Sequence, residues 1–105
     1  MKFYRHLYVG DSVKNPRMVK WKLRTGAGLF GVYVIAFADG DDQLEFYNAA
    51  FLKQKELRKM WPPYIIGIAN GRLEATQIIE KIVSECYNAT GAANLKDYLL
   101  GQNKR

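Results

Sequence analysis

Apolar positions along this chain recur with two periods, and the change from one to the other marks its elements. Phe3-Tyr4-Arg5-His6-Leu7-Tyr8-Val9 alternates, with Phe3, Arg5, Leu7 and Val9 on one side and Tyr4, His6 and Tyr8 on the other. Gly10-Asp11-Ser12 then supplies a turn, so a first strand is predicted. Gly31-Val32-Tyr33-Val34-Ile35-Ala36-Phe37-Ala38 is a nearly unbroken apolar run. It ends at Asp39-Gly40-Asp41-Asp42 and is followed by the alternating Gln43-Leu44-Glu45-Phe46-Tyr47. Asp-Gly between two such runs predicts a hairpin, because glycine supplies the positive φ of a tight turn. Tyr64-Ile65-Ile66-Gly67-Ile68-Ala69 reads as a strand buried on both faces.

Other stretches follow the helical period. Residues 71–91 place Ala75, Ile78, Ile79, Ile82, Val83, Cys86 and Tyr87 on one stripe. Gly71 stands at the N-cap with Glu74 three residues on, and Gly91 supplies the stop. Ala49 to Trp61 is helix-forming and basic, and Pro62-Pro63 prevents its continuation. Asn94 to Leu100 predicts a short last helix before a polar, frayed tail over 101–105. Residues 15–25 give conflicting signals. Val19-Lys20-Trp21-Lys22-Leu23-Arg24 alternates like a strand, but Asn15 can cap, Pro16 suits a first helical position and Gly26 suits a stop, so the borders predict a helix.

The resulting order is β-α-β-β-α-β-α-α in one domain spanning residues 1–105. It is an α+β fold with helices packed on a four-stranded mixed sheet. Its first six elements match the ferredoxin-like order. That topology puts the first and third strands in the middle, whereas the most apolar strands here are the second and fourth. Either the long helix over 71–91 covers the remaining face or the strand order differs.

Composition narrows the class without naming a function. With 49% hydrophobic and 25% charged residues in 105, the chain is neither a disordered tail nor a collagen-like repeat. One cysteine, Cys86, rules out a disulfide scaffold. Charged residues beside Met1 and the lack of a spanning apolar run predict a cytoplasmic protein without membrane attachment. The net charge of +6 is concentrated. Residues 1–25 hold seven bases against Asp11 alone, which accounts for the whole excess. Such a segment favours anionic partners.

Several motifs have simpler readings. Gly26-Ala27-Gly28-Leu29-Phe30-Gly31 has dinucleotide-fingerprint spacing, but it follows a helix and opens a strand, the reverse of the context that chemistry needs. Asp39, Asp41, Asp42 and Glu45 read as a solvated turn, because they lack the fixed ligand spacing of a calcium loop. His6 and Cys86 are the single residues of their kinds, too few for a metal centre, and Cys86 falls on an apolar stripe where a thiol is inert. Leu7-Tyr8-Val9-Gly10 resembles the first ribonucleoprotein segment of RNA-recognition-motif domains, which implies a stacking platform of Tyr4, His6 and Tyr8. The resemblance covers four residues, and the third strand offers only Phe46-Tyr47 where that family carries its second segment.

Two functional expectations follow. The first is a non-enzymatic interaction domain whose bases Lys14, Arg17, Lys20, Lys22 and Arg24 join Lys53, Lys55, Arg58 and Lys59 to engage an anionic partner, nucleic acid or an acidic protein. The second is a small-anion site, for phosphate or carboxylate, at the strand-to-helix turn of Gly67, Asn70, Gly71 and Arg72. An enzyme ranks third. No catalytic residue and no cofactor is indicated.

Overall fold

The computed structural model describes residues 2–25, 31–37, 43–50, 64–92 and 94–103. Four strands, β1 (Lys2–Val9), β2 (Val32–Phe37), β3 (Leu44–Asn48) and β4 (Tyr64–Asn70), form one mixed sheet in the order β1-β4-β2-β3. β2 runs antiparallel to both β3 and β4, while β1 runs parallel to β4. The described helices are α1 (Pro16–Thr25), α2 (Arg72–Thr90) and α3 (Leu95–Asn103). This is the α+β architecture expected from the order of elements. The central pair, however, is β4 and β2, not the first and third strands of the ferredoxin-like arrangement. The reason lies in side-chain chemistry. A central strand with helices on both faces must be apolar on both, and Val34, Ile35, Ile65, Ile66 and Ile68 are all fully buried. β1, carrying the exposed Arg5 and His6, takes an edge.

Two cores result, one on each face of the sheet. On one face Val13, Leu23, Val32, Val34, Ala49, Ile65 and Ile68 pack together, with Phe3, Leu7 and Val19 against them, so α1 covers this side. On the other, α2 and α3 contribute Ala75, Ile78, Ile82, Cys86, Leu95 and Leu99 to a cluster with Tyr4, Ile35, Ile66 and Ala69. The long helix thus covers the face opposite α1. An irregularity in β4 makes this division possible. Ile35 pairs with Gly67 and Ala36 with Ile65, which leaves Ile66 as an extra residue on β4. The bulge reverses the strand's phase, so Ile65 and Ile68 share one core and Ile66 and Ala69 the other.

Local chemistry sets the helix ends. The Asn15 side-chain oxygen accepts the Met18 N–H at 3.2 Å, capping α1, and Pro16 occupies its first position. Gly91 ends α2 in the left-handed conformation at φ 75°, its N–H donating to the Tyr87 carbonyl at 2.7 Å. α3 reaches Asn103, three residues past the end expected at Leu100. Glycine in a helix costs about 1 kcal/mol without terminating it, and the buried Leu95 and Leu99 anchor this one. The turn after β2, the glycine-rich stretch 26–30 and the basic stretch 51–61 lie outside the described residues.

Candidate functional site

Five of the seven basic residues of the first quarter lie on α1 or just before it. This helix contains Arg17, Lys20, Lys22 and Arg24 and no acidic residue, and Lys14 is exposed just before it. Which way each points follows from the helical period. Val19 and Leu23, one turn apart, face the sheet, and Leu23 is buried. Trp21, which strand alternation would have placed beside them, rotates to the outer face and stands 62% exposed, with Met18 at 50% one turn earlier. Arg17 and Arg24, the neighbours of Trp21 a turn before and a turn after, are exposed as well. Two of the bases are oriented from below. The Lys20 ammonium lies 5.4 Å from the centre of the Phe3 ring and the Arg24 guanidinium 5.0 Å from it. Each such cation–π contact is worth about 0.5–1 kcal/mol near a surface. Together they hold a cationic row above the β1 edge. Lys53, Lys55, Arg58 and Lys59 lie outside the described residues.

The turn expected to bind a small anion is built differently from what its sequence suggests. Gly67 sits within β4 and Asn70 ends that strand, Gly71 at φ 101° makes the connection, and Arg72 opens α2. Glu74 closes the turn. One of its carboxylate oxygens accepts the Asn70 N–H at 2.8 Å, and the other accepts the Ser12 N–H at 3.2 Å and the Ser12 hydroxyl at 2.7 Å. Asn70 completes the tie by donating its side-chain amide to the Ser12 carbonyl at 2.7 Å. The Asn70 amide, foremost, and then both Ser12 donors hold the Glu74 carboxyl below its ordinary range despite partial desolvation. The Asn70 N–H at this turn is thus already taken by the protein's own carboxylate. The capping pattern in the sequence signalled Glu74, but not its reach to Ser12 across 62 positions.

The proposed stacking platform on β1 lies under α2 and α3. Tyr4 is buried, and the Tyr8 hydroxyl donates to Glu85 at 2.7 Å. Burial first, and that hydrogen bond second, push the Tyr8 hydroxyl well above its ordinary pKa. His6 remains exposed, its ring edge-on to Tyr4 at 5.9 Å. Cys86 is fully buried within the α2 core, its thiol donating to the Ala92 carbonyl at 3.4 Å. Among the described residues no group of three or more histidine, cysteine or acidic side chains is placed to hold a metal ion, and no helix is long and apolar enough to cross a membrane. Comparison with protein-family models, characterised proteins and solved structures finds no match to this chain.

Proposed function

We propose that this protein is a non-enzymatic interaction domain that holds a polyanion, nucleic acid foremost, on the basic face of α1. The observation that carries the reading is the set of exposed or partly exposed bases on one ten-residue helix whose own sequence holds no acidic residue. A surface of one sign raises the local concentration of a polyanion and steers its approach. The engagement of Glu74 with Asn70 and Ser12 favours this surface over the β4–α2 turn as the anion's place.

The test is a salt titration. With about three phosphates contacted, the logarithm of the affinity should fall with that of the salt concentration at a slope of about −2. Arg17→Glu/Lys22→Glu should weaken binding and flatten the slope. Arg72→Glu/Lys81→Glu, the same change of charge at exposed positions of α2, should weaken it less. A larger loss from the α2 pair would transfer the site to α2, and absence of binding at low salt would remove nucleic acid altogether.

A further inference from the structure

The outer face of α1 is not uniformly charged. Trp21 stands 62% exposed with Arg17 a turn before it and Arg24 a turn after, and Met18 beside it is half exposed. Leaving an indole in water forfeits the stabilisation its burial brings, so a partner that covers the ring gains by it. Here it interrupts a row of cations. Alternation of π-face and positive charge matches the alternation of base and phosphate in a nucleic-acid strand.

We infer that α1 takes single-stranded nucleic acid, an unpaired base stacking on Trp21 while the phosphates on either side meet Arg17 and Arg24. The inference rests on the reading of α1 as a polyanion surface and specifies what that surface prefers. A duplex keeps its bases paired and stacked on one another, so it can offer the indole a base face only after one is extruded, at a cost of a few kcal/mol. A lipid surface is a poorer fit. Interfacial helices bury a broad apolar face, whereas the aliphatic residues Val19 and Leu23 are already packed on the sheet and leave only Met18 and Trp21 outside. An acidic protein would satisfy the bases and bury the indole as well, and binding of none of the nucleic-acid probes below is the outcome that points to it. Orientation supports the assignment too, since Phe3 fixes Arg24 from beneath and lessens the side-chain freedom lost on binding.

Binding of three labelled probes of equal phosphate number tests it: a short single strand, the matching duplex and an abasic strand that has the phosphates but no bases. The single strand should bind roughly 10- to 100-fold more tightly than the abasic one, the range expected for stacking of one base. Trp21→Leu should abolish that difference and leave abasic binding unchanged, and Trp21→Phe should keep most of it. The exposure of Trp21 makes both variants compatible with the fold, which circular dichroism verifies. If single and abasic strands bind equally, or Trp21→Leu has no effect, the stacking inference fails while the polyanion surface stands. Binding to anionic vesicles but to none of the probes overturns both.

Discussion

At the scale of single residues, the most demanding arrangement is the contact of Gly10 with Glu74. Gly10 continues the pairing of β1 with β4, its N–H donating to the Ile68 carbonyl at 2.9 Å. A Cβ at Gly10 would overlap the Glu74 carboxylate. Glutamate side chains usually give way cheaply, but this one is held by Asn70 and Ser12. Gly10→Ala is therefore expected to break those hydrogen bonds and destabilise the protein by about 1–3 kcal/mol. In Glu74→Ala the same change should cost much less, a non-additivity that denaturant titration of the double-mutant cycle measures. The carboxylate also fixes a pH dependence. Its folded-state pKa lies below the ordinary 4.5, so its contribution is complete above that value and is lost as pH falls through the folded value. Glu74→Gln should flatten this acid limb of the stability profile, and an unchanged limb would show that the hydrogen bonds contribute nothing to folding.

At the scale of elements, α1 decides the surface. Ten residues are too few to stay helical alone in water. The helix therefore depends on its cap and on the packing of Val19 and Leu23 against the sheet. Asn15→Ala should cost about 1 kcal/mol, whereas Asn15→Asp should cost nothing, since aspartate caps equally well and its charge complements the helix N-terminus. Thermal denaturation distinguishes the two variants. Equal destabilisation would mean that the side-chain oxygen of Asn15 is not what starts the helix. The cap was legible in the sequence from Asn15-Pro16, and it outweighed six residues of strand-like alternation because a helix start needs an acceptor at one fixed position, whereas alternation arises in many contexts. The orientation of Trp21 followed from that choice.

At the scale of the whole molecule, one sheet carries both cores, and β4 contributes adjacent isoleucines to opposite sides. Ile65 packs on the α1 side and Ile66 on the α2 side. Loss of either should loosen the entire domain, at about 2–5 kcal/mol for truncation to alanine. Cys86, fully buried beneath α2, serves as a reporter for this. Its thiol should react slowly in the native protein, and both Ile65→Ala and Ile66→Ala should accelerate its labelling by similar factors. Acceleration by Ile66→Ala alone would mean that the two faces open independently. The same duality explains the strand order. A sheet covered on both faces demands doubly apolar strands at its centre, and β2 and β4 are the strands with that composition.

The sequence by itself determined the elements among the described residues, the burial of Cys86 and the concentration of charge in the first quarter, because period, capping residues and composition are local properties. It also held the clue to the strand order, in the apolar character of β2 and β4. Three features were decided by tertiary structure alone. The bulge at Ile66 reverses the phase of β4 to satisfy two cores at once, and nothing within the strand specifies which of three consecutive apolar residues becomes the extra one. Glu74 reaches Ser12 because the parallel pairing of β1 and β4 brings the ends of those strands together, so Asn70 gives its N–H to a carboxylate from within the chain. The helix starting at Pro16 turns Trp21 outward, but whether an outward face meets solvent or another layer depends on what the rest of the fold stacks upon it. Long-range pairing settles all three, and no local period encodes it.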